Sequence, residues 1–256
     1  MKLPKLLLCL LAGVTFCVPA TARTLEQIKE LGSILLCANP DALPYASDKS
    51  DKPGFQIEVA REIAHDLGVK LNIEWVLPRR RANVVNCDLQ LDVPSDIEKQ
   101  KKGKHRQSRP YHKAGVVLGL SAAATPIERY TELQPGQRVG VMIGSVASEV
   151  LGKAGASIVP YAFQSDMVED LSKGDLYGGA VSGASLSYFV LQHPESGIKV
   201  THAFDEASGL VWPVAAGLRN ADDAIVEAVN QIIERMLTDG TIKRIYGTYG
   251  IAHQQP

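Results

Sequence analysis

The sequence predicts an α/β protein divided into two lobes, and three features carry that prediction. Residues 33–76 run strand, loop, helix, strand, the opening of an α/β unit. The same alternation restarts at Arg138 and continues to about Phe204. A long amphipathic helix near the C terminus has an apolar stripe that must pack on something. The chain therefore leaves the first unit, builds the second and returns.

Composition sets the outer bounds. The chain has 256 residues, 45% hydrophobic and 21% charged, with 22 Gly and 14 Pro. That is ordinary globular composition and excludes collagen, coiled coil and wholesale disorder. The formal net charge of −1 argues against a general nucleic-acid binder.

The elements follow in order. Lys2 and Lys5 precede an apolar run from Leu6 to Val18, and Ala20-Thr21-Ala22 follows Pro19. This is the pattern of a secretory signal peptide, residues 1–22, and a run of about 13 residues is too short to cross a bilayer. Cys9 and Cys17 follow bulky Leu8 and Phe16, so no lipid anchor is expected. Cleavage after Ala22 leaves 234 residues with 25 basic and 28 acidic side chains, and only Cys37 and Cys87 as cysteines.

Ser33–Ala38 is a short apolar strand, and Pro40–Gly54 is a polar loop. In residues 54–68, Phe55, Val59, Ile63 and Leu67 recur every four positions, which predicts a helix stopped by Gly68. Lys70–Val76 alternates as a strand. Residues 78–86 are too few for a comfortable helix, Cys87–Val93 reads as a strand, and 99–109 form a polar basic run. Gly115–Leu120 is a further strand.

In the second unit Val139–Ile143, Ser157–Tyr161, Leu176–Ser182 and Lys199–Phe204 are predicted strands. Val146–Lys153, Ser165–Lys173 and Leu186–Gln192 are the helices between them. The tail helix spans Asn220–Gly240, with Asn220 as its cap and Ile225, Val229, Ile232, Ile233 and Met236 as its stripe. A short helix at Thr241–Tyr246 follows.

Taken in order, these segments resemble the family 3 periplasmic solute-binding proteins of the polar-amino-acid type. ILLCANPDALPY, GFQIEVAREIAHDLG and KLNIEWV are similar to that family's opening, RPYHKAGVVLG to its hinge strand and GQRVGVMIGSVAS to its second-lobe entry. ADDAIVEAVNQIIERMLTDGTIKRIYGTYG resembles its C-terminal signature. The resemblance implies a two-lobed periplasmic-binding-protein (type II) fold with two hinge strands, near Gly119–Ala123 and Leu210–Ala215. It places lobe one at 23–119 plus 214–256 and lobe two at 120–213.

Two departures matter. Amino-acid binders of that family clamp the ligand carboxylate with an Arg after the fourth strand. Here the place reads VPSDIEKQ, with Ser95 and no Arg until Arg106. They hold the ammonium with an Asp where this chain has Ser182 and Gly183. An α-amino acid would bring two desolvated charges to this cleft without those partners.

CANPDALPYAS, PRRR and CDLQLDVPSDIE followed by SRPY are similar to a narrower subgroup, the J proteins associated with quinoprotein methanol dehydrogenases. That resemblance implies a periplasmic partner, activation or maturation factor for a PQQ-dependent methanol or alcohol dehydrogenase of calcium or lanthanide type. The alternative is the substrate-binding receptor of an ABC importer for a small non-amino-acid solute. Neither is an enzyme, and the expected state is a monomer without a membrane anchor.

Candidate residues follow. Cys37 and Cys87, in an exported chain, are a disulfide or two buried thiols; the subgroup has paired cysteines at these places, which implies the disulfide. Arg79, Arg80, Arg81, Lys99, Lys101, Lys102, Lys104, Arg106 and Arg109 concentrate positive charge, as a solvated loop face or as a docking patch for an acidic protein. No aromatic residues interleave them as a nucleic-acid surface requires. Gly144 and Ser145 open a helix whose free N–H groups favour an anion. With Tyr45, Ser95, Ser182 and Gly183 they are the candidate cleft residues.

No catalytic, cofactor or metal motif is present. G-x-S-x-G, H-E-x-x-H and C-x-x-C are all missing from the sequence. Asp48, Ser50 and Asp51 hint at an EF-hand loop, but Lys49 and Lys52 interrupt it and Val59 takes the place of its Glu. Asp88, Asp92 and Asp96 lie in a predicted strand and turn and are not expected to form a site.

Overall fold

The computed structural model describes residues 23–49, 51–76, 87–95, 105–219 and 221–256. Of the predicted features, the signal peptide, Asn220, and the basic residues Arg79, Arg80, Arg81, Lys99, Lys101, Lys102 and Lys104 lie outside them.

Helix α1, Leu25–Leu31, was not expected. Thr24 and Gln27 close a capping box there, with Oγ1 accepting from Gln27 N at 3.2 Å and Gln27 Oε1 accepting from Thr24 N at 2.9 Å. Strand β1, Ser33–Ala38, is followed by a small antiparallel pair, β2 (Asp41–Ala42) and β3 (Ala46–Ser47). Helix α2, Phe55–Leu67, ends where Gly68 takes φ 72°, as its periodicity predicts. Strand β4, Lys70–Trp75, pairs parallel with β1 in the register Ser33 with Lys70. Strand β5 is Leu89–Pro94.

Strand β6, His105–Leu120, absorbs the C-terminal part of the basic run read as a loop. Its charges do not break it because they are neutralised by the C-terminal helix: Arg106 pairs with Asp223 and Arg109 with Glu234. Strand β7 (Arg138–Met142), helix α3 (Val146–Lys153), β8 (Ser157–Tyr161), α4 (Gln164–Lys173), β9 (Gly178–Ser182) and α5 (Gly183–Gln192) build the second lobe. Helix α5 begins three residues before the predicted Leu186. Strand β10 is only Lys199–Thr201 and stops short of the predicted Phe204. Strand β11, Val211–Arg219, precedes α6 (Asp223–Thr238) and α7 (Thr241–Thr248). The cap of α6 is Asp222, whose carboxylate accepts from Ile225 N at 2.9 Å, and not Asn220. Asp222 stands one residue before the first helical turn, within reach of its free N–H groups.

The strands run β4-β1-β5-β11-β6-β9-β7-β8, with β10 also on β6. The long β6 serves both lobes. Up to Gly115 it pairs with β11, and from Val116 to Leu120 it pairs with β9. Its partners thus change at Gly115–Val116, a few residues before the Gly119–Ala123 stretch expected for the crossing. A Cβ at Gly115 would lie 2.5 Å from the carbonyl oxygen of Leu210, so the two crossing strands approach as only glycine permits. β11 makes the second crossing: Leu210, just before it, is buried in the second lobe, whereas Val214 is buried in the first.

The first core contains Ile34, Leu36, Ile57 and Ile63 together with Ile225, Val229, Ile233, Ile242 and Ile245. The C-terminal helices therefore return to the first lobe, as the amphipathic stripe requires. Each of these aliphatic side chains is almost fully buried, and burial contributes roughly 1.5–3 kcal/mol apiece. The second lobe packs around Leu118, Leu120, Val139, Val141 and Leu151 on one side of its sheet, and Met167, Leu171 and Val181 on the other.

Cys37 and Cys87 form a disulfide with a Cα–Cα distance of 5.6 Å. It closes a 50-residue separation beside Val76 and Leu35. Next to it, Asp88 accepts a two-pronged ion pair from Arg23, at 2.9 Å to Oδ1 and 2.6 Å to Oδ2, and Leu35 N donates to Oδ2 at 2.8 Å. Arg23 is the first residue after the predicted cleavage point.

A cleft between the lobes

In open α/β sheets the crevice for a ligand lies beyond the carboxyl ends of the parallel strands. Here the loop after β1, the Gly144-Ser145 turn after β7 and the Ser182-Gly183 junction after β9 all meet at such ends. Between the lobes they leave a cavity of about 440 Å³. Tyr45, Ser145, Ser182 and Gly183 line it, as do Phe55, Val116, Met142 and Trp212. Gly144 and Ser95 do not line it. Gly144 sits on the exposed turn at φ 69°, and Ser95 hydrogen-bonds through its backbone N to Pro213 O at 2.8 Å. The Oγ of Ser95 is buried and has no hydrogen-bond partner among the described residues.

The lobes touch across the cavity. Tyr45 Oη and Ser182 Oγ are 3.1 Å apart, which joins the loop before α2 to the end of β9. Burial raises the Tyr45 phenol above its usual range, so it stays protonated. Its ring packs on Phe55 at 5.1 Å between centroids, and Phe55 on Tyr246 at 4.6 Å. The Ser145 hydroxyl is committed elsewhere, as the cap of α3, accepting from Ser148 N at 3.1 Å.

The polar groups that the motifs did not mark come from β5, β6, α4, α5, the segment before β11 and the C-terminal tail. Asp92 lines the cavity. Its Oδ1 accepts from Tyr246 at 2.9 Å and from Tyr111 at 3.1 Å, and its Oδ2 accepts from Gln56 at 2.9 Å. Burial pushes the Asp92 carboxyl up, and these donors pull it back down. The two phenols lie well above their ordinary range through burial and the Asp92 charge, so both remain donors. The sequence places Asp92 in a strand and turn and expects no site there. The structure instead brings it to the cavity, with its backbone at φ 54° within β5.

His112, on β6, lines the same space. Burial, reinforced by nearby His253, lowers it to about 4, so it is a neutral ring near pH 7. Its Nδ1 accepts from Gln254 N at 3.3 Å, and Lys113 N donates to Gln254 O at 3.0 Å. The tail therefore runs beside β6 and helps to wall the cleft. Lys113 Nζ lies 3.9 Å from Asp205 Oδ2. Among the described residues no arginine lines the cavity, and no cluster of His, Cys, Asp and Glu is arranged to hold a metal ion. No described helix is long and apolar enough to cross a membrane.

Comparison with known proteins agrees with this architecture. The family model of bacterial extracellular solute-binding proteins, family 3, matches residues 34–252. A probable amino-acid ABC transporter-binding protein of Haemophilus influenzae is 24% identical over 225 residues, 86% of this chain and 85% of that protein. The membrane-bound lytic murein transglycosylase F of Ectopseudomonas mendocina is 26% identical over 243 residues. The match takes in 88% of this chain but only 47% of that protein, so the chain spans about half the length of that relative. Among solved structures, the unliganded open L-cystine receptor of Neisseria gonorrhoeae superposes with a TM-score of 0.75 at 18% identity, over 90% of this chain and 98% of that one. An ancestral cationic amino acid solute-binding protein gives 0.72 at 20% identity, over 88% and 99%.

Proposed function

The chain belongs to the bacterial extracellular solute-binding proteins, family 3, and from that membership we propose that it is an exported, non-enzymatic receptor whose cleft holds one small solute that is not an α-amino acid. The observation that carries this reading is the lining of the cavity. It is largely apolar, and among the described residues it has no arginine to clamp a carboxylate and only serine and glycine at the end of β9. Export rests on the basic, apolar and Ala-x-Ala pattern of residues 1–22. The lobes divide where the strands change partners, close to Gly115–Val116 and between Leu210 and Val214. Tyr45 and Ser182 close over the solute, and an ABC importer receives it.

A thermal-shift screen at millimolar concentration tests the reading. A solute at 100-fold its dissociation constant adds about 2.7 kcal/mol. Non-zwitterionic small molecules are expected to produce such a shift, and glutamate, arginine and glycine are not. A shift of that size with an α-amino acid overturns the reading.

A second reading has a specific observation behind it. The Cys37–Cys87 disulfide, with the Val93-Pro94-Ser95 segment, supports the resemblance to the quinoprotein dehydrogenase-associated subgroup. On this reading the chain is a partner or maturation factor for a periplasmic PQQ-dependent alcohol dehydrogenase, steered by the basic segment 79–109. Arg106 contributes little to such a patch, since Asp223 neutralises it. Retention of a purified dehydrogenase on the immobilised chain at low salt is the expected result, and no retention eliminates this reading.

A further inference from the structure

Asp92 is expensive as a structural residue. It is the one non-glycine at positive φ among the described residues, at 54°, a backbone region that L residues rarely adopt and that glycine adopts freely. A glycine would adopt that backbone without strain. An asparagine would offer the same oxygen to Tyr111 and Tyr246. Neither need requires a carboxylate. Yet three elements, α2, β6 and α7, each send a donor to this group through Gln56, Tyr111 and Tyr246. These donors are neutral, and among the described residues no cation pairs with it. Three neutral donors soften the burial of a charge but do not cancel it.

The rest of the cavity keeps that charge uncompensated. Lys113, the lysine of the lining, faces Asp205 across 3.9 Å. His112 is held neutral by burial. Among the described residues the lining sets two carboxylates, Asp92 and Asp205, against one ammonium and the rings of His112 and His202, in a space otherwise formed by residues such as Phe55, Val116, Met142 and Trp212. A ligand carboxylate has no arginine to meet and would have to break the Lys113–Asp205 pair. An ammonium on an apolar body meets an ordered acceptor and completes an unpaired charge.

We propose that Asp92 is the recognition carboxylate of the cleft, and that the solute it selects is a small organic monocation, a primary amine on an apolar skeleton without a carboxylate. This rests on the reading of the cleft as a solute site. The role is positional as well as chemical: Tyr111, Tyr246 and Gln56 fix the carboxylate so that little reorganisation accompanies binding.

Calorimetric titration of the full exported chain with matched probes tests it. The probes are butylamine against butanol, and phenethylamine against phenethyl alcohol and phenylacetate. At least one amine is expected to bind ten-fold or more tightly than its alcohol. Asp92→Asn should bring that pair within two-fold of each other, the amine losing far more affinity than the alcohol. Asp92→Gly, which suits the backbone conformation, provides the same comparison in a variant that folds without the strain. Equal binding of amine and alcohol by the unmodified chain overturns the proposal, as does a preference that survives both substitutions. Tight binding of phenylacetate alone overturns it but leaves the solute-receptor reading standing. No binding of any probe at millimolar concentration counts against both.

Discussion

Gly54 links the fold to the cleft, and its replacement by alanine has a magnitude that can be worked out. The residue caps the start of α2 at φ 98°, ψ 147°, a region that only glycine occupies readily. That alone costs about 1–3 kcal/mol in an L residue. A Cβ there would also lie 2.3 Å from the carbonyl oxygen of Tyr45 and 2.5 Å from the Ala46 Cα. Both are backbone atoms and cannot rotate aside, so the two segments must separate, at a further ~1–3 kcal/mol. Separation strains the bonds that join them, Phe55 N to Pro44 O at 2.9 Å and Gln56 N to Tyr45 O at 3.0 Å. The expected loss is therefore about 2–6 kcal/mol, a large part of the ~5–15 kcal/mol typical of a folded domain. Gly32→Ala is the control. Gly32 also has positive φ, 64°, but a Cβ there meets nothing within 4 Å, so only about 1 kcal/mol should be lost. Urea unfolding followed by far-UV circular dichroism measures both. If Gly54→Ala loses no more than Gly32→Ala, the close approach is not what selects glycine, and the argument fails. Because Tyr45 moves with its carbonyl, Gly54→Ala should also weaken solute binding, whereas Gly32→Ala should not.

Three further outcomes are expected. Removing the disulfide, by Cys37→Ala with Cys87→Ala, should lower stability by up to about 4 kcal/mol, since the bond constrains a 50-residue loop of the unfolded chain; a loss below 1 kcal/mol by urea midpoint would mean that the unfolded chain is already compact there. His112 has an ordinary value of 6.5 and a folded value of about 4, so its contribution is complete above pH 6.5 and is lost as pH falls from about 6.5 to about 4. That difference is worth roughly 3 kcal/mol, and His112→Gln should flatten the pH profile of the urea midpoint across that window. Tyr45→Phe deletes one neutral hydrogen bond between the lobes, about 1 kcal/mol, and should weaken solute affinity roughly five-fold with little change in the unfolding midpoint; unchanged affinity would show that Tyr45 and Ser182 do not close over the solute.

Much of the architecture was legible because its signals are local. The four-residue spacing of Phe55, Val59, Ile63 and Leu67, and the stop at Gly68, lie within one segment. So does the stripe of α6. Other features depend on distant partners. The first residues of β6 read as a solvated basic run because nothing nearby in the chain shows that Asp223 and Glu234 will neutralise Arg106 and Arg109. The hinge position on β6 likewise depends on where β11 stops pairing and β9 begins. For α1 a local signal did exist, the Thr24-x-x-Gln27 box, hidden in the first residues beyond the expected cleavage point.

The cleft divides along the same line. Tyr45, Ser182 and Gly183 are nominated by the family resemblance and Ser145 by the helix it opens, and they line the cleft because they lie at the ends of parallel strands; Ser95 and Gly144, nominated with them, do not line it. Asp92 could not be nominated in this way. Its partners are Gln56, 36 positions earlier, Tyr111, 19 later, and Tyr246, 154 later. Read locally it belongs to a strand and turn, and nothing in that segment shows the three donors that converge on it. Strand ends therefore disclose where the cavity lies, while the charged groups that line it are set by side chains converging from several elements. For this family of clefts, a missing clamp residue in one segment excludes a ligand class only after the charges contributed by the other segments have been counted.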